Sequence, residues 1–433
     1  MKSDILGVLD SAFISRAFIG GGGVNSQEIM PRLAREYDIV YFPKTAIGHK
    51  INDGIKENIM DNVGKIEDFG ITVSNEFKSL FHSYNKYDNS NFIKFRNELI
   101  SRYRKEIGDL SILYDNDFHV PLFPSPLFKG EMYELSKYKN RTKFGITLRG
   151  FGAINLQNNL RIILHILKNE KLTLNPRLRG KYISLAIGPF AQHAIVSNLI
   201  WKGNVDFIGY VNSELVDLFS LTKDHANLYD LYPADASRFA SIKRKMKIKN
   251  QLVFFGRLVP EKGIFEIPRI AKHLKNLGIN CHIKVIGKFT FDHEEHIFNN
   301  LKESLGVDDM IDYLGFLPEE QMADVIGSSS IFINPTHSDT YSIAMLEALS
   351  SDVVVVAYSI PFLKRLYSNV KAVEFVKEYD TRAMALKIAK LLTYESGEFQ
   401  EFFDKQTREF VSDHSSYDVI TGKIAAMIGT EMR

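Results

Sequence analysis

The sequence predicts an α/β protein built from two doubly wound parallel sheets. Three observations carry that expectation. The chain has 433 residues, enough for two domains with separate cores. Short apolar runs alternate with amphipathic stretches, most regularly in the second half. Those runs are apolar at successive positions, so both faces of each strand should be covered by helices. A composition of 45% hydrophobic and 24% charged residues excludes the disordered and fibrous classes.

The second half reads in order. Leu252 to Phe255 is a strand that ends in a turn at Gly256. Ile264 to Leu277 is a helix whose apolar face carries Ile267, Ile270, Ala271 and Leu274. The strand His282 to Ile286, the helix Glu294 to Leu305 and the short strand Ile311 to Leu314 follow. Pro318 opens a helix running to Ile326, because proline in the first turn forfeits no hydrogen bond. The strand Ile331 to Ile333, the helix Ser342 to Leu349 and the strand Val353 to Val356 complete the pattern.

The first half repeats this pattern more faintly. Ile5 to Leu9 is a strand leading into Gly20 to Gly23, followed by a helix from Asn25 to Tyr37 and a strand from Ile39 to Phe42. Further strands are expected at Ser111 to Tyr114, Phe144 to Leu148, Tyr182 to Ala186 and Phe207 to Tyr210. Residues 45–110 show no order of elements. Arg238 to Lys249 is basic and polar, as a linker would be, and Tyr417 to Met432 reads as an amphipathic helix. The expected division is residues 1–240, residues 250–412 and a C-terminal helix within 413–433. Two Rossmann-like domains facing across a cleft follow, with ligands at the C-terminal ends of the strands.

Charge and cysteine content narrow the classes. Cys281 is the one cysteine, which excludes an internal disulfide framework and fits a reducing compartment. Asp4 and Asp10 interrupt the N-terminal apolar residues, so no signal peptide is expected. The window Ile183 to Trp201 holds Gln192, His193, Ser197 and Asn198, which suits burial better than a membrane. The expected location is cytoplasmic, with peripheral membrane contact left open. The net charge of +2 divides into +7 over residues 1–245 and −5 over the remainder. The basic clusters at 102–105, 137–143 and 177–181 are either a solvated face or a surface for an anionic acceptor or membrane.

Chemistry concentrates in two segments. His337 to Ala348 places Asp339 and Glu347 eight positions apart, one in the loop after a strand and the other inside the following helix. A helix N-terminus between two carboxylates suits a ligand with a phosphate in the middle and hydroxyls at both ends. Gly256 to Gly263 offers Arg257 and Lys262 after the first strand of the same sheet. Two fixed cations there would stabilise the charge of a departing nucleoside diphosphate.

These segments resemble the retaining GT-B glycosyltransferases, in particular glycosyltransferase family 4, the group 1 family of glycogen- and sucrose-synthase-like enzymes. Gly256 to Gly263 matches the family's glycine-arginine-x-x-x-glutamate-lysine-glycine segment. Asp339-x7-Glu347 matches its glutamate-x7-glutamate segment, with Asp in the first place. Leu231 to Phe239 and Tyr313 to Leu317 are also similar. The resemblance implies a hexosyltransferase-type enzyme that moves a sugar from a nucleotide-sugar donor to a hydroxyl acceptor, retaining configuration. It implies no cofactor and no metal ion, and a C-terminal helix crossing back to the N-domain. Arg257 and Lys262 would hold the diphosphate, Glu347 the ribose and Asp339 the transferred sugar. Backbone N–H groups of Tyr341, Ser342 and Ile343 would meet the phosphates, the backbone near Phe316 the base, and the loop containing Gly22 the phosphates and acceptor.

The chain departs from the family pattern in four places. Asp339 is one methylene shorter than glutamate, and Arg149 stands where the family often has histidine. Ser351-Asp352 replaces a small-residue turn, and Tyr358 to Pro361 lacks the usual glycine pair. Arg149 is therefore an additional candidate for a phosphate or sugar contact; His337, in the candidate sugar loop, is another for donor contact, with an exposed and idle His337 equally open. Asp115-Asn116-Asp117 has the spacing of a metal-holding D-x-D, but as turn residues these read as a loop. Three other readings stay open: a GT-B-like partner subunit without turnover, a sugar-nucleotide epimerase, and transfer to a nucleic-acid base. No strong nucleic-acid signal supports the last.

Overall fold

The computed structural model describes residues 5–10, 14, 21–44, 53–83, 89–116, 118, 130–138, 141–149, 164, 176–231, 246–290, 292–395 and 397–433. The chain divides into two compact units. The first comprises Met1–Phe151, Ile187–Pro233 and Tyr417–Arg433; the second comprises Gly152–Ala186 and Ala234–Ser416.

In the first unit the described elements run β1 (Ile5–Asp10), α1 (Gly21–Leu33), β2 (Asp38–Pro43), α2 (Asp53–Glu67), β3 (Thr72–Val73), α3 (Asn75–Ser83), α4 (Asn89–Ile107), β4 (Ile112–Asp115), α5 (Glu131–Ser136), β5 (Lys143–Leu148), α6 (Pro176–Trp201, whose residues up to Ala186 are assigned to the second unit), β6 (Phe207–Tyr210), α7 (Glu214–Leu218) and β7 (Asn227–Asp230). The strands pair in parallel in the order β3-β2-β1-β4-β5-β6-β7. The order reverses between β1 and β4, where polar side chains meet. Asp10 at the end of β1 accepts hydrogen bonds from Ser26 Oγ at 2.8 Å and the Tyr41 hydroxyl at 2.9 Å. Lys44, just past β2, pairs with Asp115 at the end of β4 at 2.5 Å, and both side chains are buried. Such burial is costly for either charge alone, so each holds the other in place.

In the second unit the elements run β8 (Gln251–Phe255), α8 (Glu266–Asn276), β9 (His282–Ile286), α9 (Asp292–Leu305), β10 (Ile311–Gly315), α10 (Glu319–Ser328), β11 (Ile331–Asn334), α11 (Ile343–Ser350), β12 (Val354–Tyr358), α12 (Pro361–Tyr367), β13 (Val373–Val376), α13 (Thr381–Leu391) and α14 (Lys405–His414). The parallel order is β10-β9-β8-β11-β12-β13. Leu252, Val253, Ile283, Ile331, Ile333 and Val354 to Val356 are almost wholly inaccessible. Burying each such side chain contributes about 1.5–3 kcal/mol, which makes this double-faced sheet the core.

The last helix, α15 (Tyr417–Met432), returns to the first unit. Tyr37 donates to the Ala425 carbonyl at 2.8 Å, and Arg32 pairs with Asp418 at 2.9 Å. Glu431 is buried and accepts from Asn227 Nδ2 and the Tyr229 hydroxyl, each at 2.7 Å.

Two expectations are corrected. Tyr182 to Ala186 lies inside α6, not in a strand. A short apolar run fits a buried strand and a buried helix equally, and here the run is part of 26 helical residues. The first-half helix begins at Gly21, not Asn25, so the glycines form its first turn. Glycine is a poor helix former, so the run hides a helix start that the structure places within it. Among the described residues, no helix is long and apolar enough to cross a membrane. Much of the expected linker, residues 238–245, lies outside the described residues.

Gly263 is required by close approach. Gly263 has φ of 78°, and a Cβ there would stand 2.1 Å from the Pro335 carbonyl oxygen. Gly263→Ala should cost about 2 kcal/mol or more. Thermal unfolding would register this as a fall of several degrees, and an unchanged midpoint would refute the required approach.

Candidate active site at the strand ends of the second unit

The strand ends of β8, β9 and β10 form a backbone floor. Gly256, Gly287 and Gly315 all have positive φ, of 136°, 142° and 69°. Gly256 N–H donates to the Ile286 carbonyl at 3.1 Å, and Gly287 N–H to the Gly315 carbonyl at 2.9 Å. A Cβ on Gly287 would stand 2.0 Å from the Gly256 carbonyl oxygen, so these ends can lie side by side only without that side chain. Phe316, next to this floor, is 67% exposed. Arg257 is exposed immediately after Gly256.

The turn Pro260–Lys262 carries Lys262 toward the end of β11. Its ammonium donates to the Ser338 carbonyl at 2.9 Å and to Asp339 Oδ2 at 2.7 Å. The other carboxylate oxygen of Asp339 accepts from the backbone N–H groups of Ser342 at 3.0 Å and Tyr341 at 3.4 Å. Burial works against the charge of Asp339. The Lys262 ammonium and those two N–H groups outweigh it and hold the carboxyl below the usual carboxylate range. Asp339 thus already occupies two of the N–H groups that the sequence assigned to a phosphate. Its one-methylene-shorter side chain folds back onto its own helix.

Ser342 sits at the start of α11 with φ of 60° and ψ of 78°. This left-handed conformation is disfavoured for a residue with a Cβ. It is held from three sides. Asn334 Nδ2 donates to Ser342 Oγ at 3.5 Å, Tyr367 donates to its carbonyl at 3.3 Å, and Asp339 takes its N–H. Ile343 is the first residue of α11, and Glu347, one turn on, is 4% exposed. Asp352 closes the far end of α11 with φ of 53° and pairs with Arg408 at 3.3 Å. Ser351-Asp352 therefore makes a left-handed helix stop that the family pattern fills with small residues.

His337 is buried and does not face solvent. Its Nδ1 lies 2.9 Å from Glu378 Oε1, and its Nε2 lies 3.7 Å from Glu266 Oε1. Tyr379 stacks on the ring at 4.3 Å. The sequence reading missed Glu266, Glu378 and Tyr379. A signal existed for the first. Glu266 lies one helical turn before Ile270 and two before Leu274, on the apolar face of α8.

Two candidates belong to the first unit. Gly22 lies in the first turn of α1. Arg149, just past β5, donates through Nε to the Asn116 carbonyl at 2.8 Å and through Nη2 to Asn116 Oδ1 at 3.0 Å. Asp115 is paired with Lys44, and Asp117 lies outside the described residues.

Residues 237–410 match the family model described as "Glycosyl transferases group 1". The chain is similar to the capsular polysaccharide biosynthesis glycosyltransferase CapM of Staphylococcus aureus, at 24% identity over 261 residues. That match covers 58% of this chain and 62% of the relative. Across four curated relatives the matching stretch spans between 43% and 62% of their lengths. Among solved structures, sucrose-phosphate synthase from Thermosynechococcus elongatus aligns with a TM-score of 0.65 at 11% identity, covering 99% of this chain and 98% of that one. HepE of Anabaena, in complex with UDP and glucose, aligns at 0.61 and 12%, covering 99% and 100%. The two parallel-sheet units have the GT-B fold, and the match to the group 1 glycosyl transferase model falls in the second of them.

Ser342→Gly should relieve the left-handed strain and raise stability by about 1 kcal/mol; a lower melting temperature would contradict the assignment. The depressed carboxyl of Asp339 contributes stability that is present above the unfolded value of about 3.9 and lost as pH falls through the folded value. Asp339→Asn should therefore flatten the acid side of the stability profile, as followed by thermal melts across acidic pH.

Proposed function

We propose that the chain transfers a hexosyl group from a nucleotide-sugar donor to a hydroxyl acceptor, with retention of configuration and without a metal ion. One observation carries the reading. Lys262 and Asp339 are paired at the N-terminus of α11, beside the exposed Arg257 and the glycine floor. A donor lying with its base toward Phe316 and its diphosphate toward Arg257 and Lys262 would leave its sugar near Asp339. The family match over residues 237–410 supports a nucleotide-sugar donor. The UDP and glucose held by the Anabaena neighbour support a uridine donor. The capsular relative supports a glycan acceptor. The basic balance of residues 1–245 adds support for an acceptor that is anionic or presented at an anionic surface.

In the proposed reaction the bond from the anomeric carbon to the phosphate oxygen breaks and a bond from that carbon to the acceptor oxygen forms on the same face. The leaving phosphate takes the hydroxyl proton. Arg257, Lys262 and the Ile343 N–H at the helix terminus would stabilise the charge gathering on the leaving group, and Asp339 would orient the sugar. Lys262 would then divide its hydrogen bonds between Asp339 and the diphosphate.

The test is turnover of UDP-, GDP- and ADP-sugars in the presence of a chelator, with the anomer of the product read by NMR. Arg257→Ala and Glu347→Ala should each lower kcat/KM by about 10²-fold or more. Full activity in both variants would sink the site assignment. Tight donor binding without turnover over a wide acceptor panel would instead indicate a non-catalytic partner subunit.

A further inference from the structure

The donor reading leaves one buried charged cluster unused, the ring of His337 with the carboxylates around it. We propose that His337, clamped between Glu266 and Glu378, is a positioning residue that fixes the segment carrying Asp339 and so sets the affinity for a nucleoside diphosphate. This rests on the reading that Lys262 and Asp339 meet the donor.

The geometry begins at the ring. His337 is 3% exposed and lies among groups from three elements: Glu266 on α8, Tyr358 on β12, and Glu378 with Tyr379 after β13. A neutral imidazole has one donor nitrogen and one acceptor nitrogen. Both ring nitrogens here face carboxylate oxygens, which only accept. Nδ1 is at hydrogen-bond distance from Glu378 and Nε2 at ion-pair distance from Glu266, so the doubly protonated ring suits the two carboxylates together best. Glu266 also accepts from the Tyr358 hydroxyl at 3.2 Å. That hydroxyl is pushed far above its ordinary range by burial and by Glu266, so it stays a donor.

The clamp is tied to the site through the backbone. His337 N–H donates to the Glu261 carbonyl at 2.9 Å, one residue before Lys262. Ser338, the next residue along, gives its carbonyl to the Lys262 ammonium, and Asp339 follows. A shift of the His337 ring therefore moves both halves of the Lys262–Asp339 pair. Tyr379 pays for its stacking position with a φ of 67°, a genuine departure for an aromatic residue. Such strain persists only where the surroundings determine it. The outer side of the clamp is also open to approach. Glu378 and Tyr379 line a cavity of about 1170 Å³ together with Ser359, Lys364, Lys377 and Arg382.

Protonation then controls the clamp. Burial works against the charged ring, but Glu266 and Glu378 together outweigh it and raise the His337 pKa above its ordinary value. With a raised folded value, the contribution is fully present below the unfolded value of about 6.5. It is lost as pH rises through the folded value, when the buried Glu266 and the partly exposed Glu378 lose the cation between them.

The experiment measures UDP and GDP binding by calorimetry between about pH 6 and pH 9 for the wild type, His337→Gln and Glu378→Gln. The His337 ring is titrated in parallel by NMR. The ring should titrate above about 6.5, and affinity should fall roughly tenfold or more as it deprotonates. His337→Gln should bind weakly with a flat profile, and Glu378→Gln should move both transitions to lower pH. A ring that titrates at or below the ordinary value overturns the proposal, as does nucleotide binding that ignores pH. If no nucleotide binds at any pH, the donor reading fails and the proposal falls with it, a result distinct from pH-independent binding. Should His337→Gln fail to fold, the wild-type titration and Glu378→Gln decide the matter.

Discussion

The approach of Gly263 to the Pro335 carbonyl is the constraint on which the rest of the second unit's site depends. It brings the end of the Gly256 to Gly263 segment against the end of β11, closer than any side chain permits. Only then does the Glu261 carbonyl meet the His337 N–H, and only then does the Lys262 ammonium span to Ser338 and Asp339. The cations and carboxylates are thus placed by a backbone contact, before any ion pairing. That order matters energetically. Half-buried ion pairs recover little of their desolvation cost unless they are already positioned, and here the glycine does the positioning.

The second half was legible because its period is regular. Strands such as His282–Ile286 and the helix Tyr417–Met432 fall where the apolar spacing puts them. Lys262 and Asp339 were legible as strand-end residues of one sheet, whereas the adjacency of β8 and β11 and the ion pair between them are seen only in the structure. Three kinds of feature were not. Tyr182 to Ala186 has no periodicity that separates strand from helix. The described residues of 45–110 form the helices α2, α3 and α4 around one strand, β3, whose two residues are too few to set an alternating pattern. The His337 clamp joins groups distant in sequence, and Glu378 looks like any surface acid until β13 brings it beside the ring.

Two of the four described non-glycine residues of the second unit with left-handed backbone lie at this same place; Asn250 and Asp352 lie elsewhere. Ser342 and Tyr379 are both non-glycine residues with left-handed backbone, and both flank the segment from His337 to Asp339. Ser342 gives its N–H to Asp339, and Tyr379 gives its ring to His337. Each unfavourable conformation is therefore coupled to a charged group in a protected setting. Removing either charge would release backbone as well as an ion pair, so the effects of such variants should not add.

The placement of α15 bears on how the chain is made. The first unit contains Glu431, whose carboxylate gathers Asn227 and Tyr229 beneath the sheet edge. A ribosome delivers that glutamate only after the whole second unit has emerged. At about 5–20 residues per second, the β6–β7 edge waits on the order of ten seconds or more for its last partner. Nascent chains would hold a finished second unit and an unfinished first one, with the exposed edge as the surface a chaperone would meet.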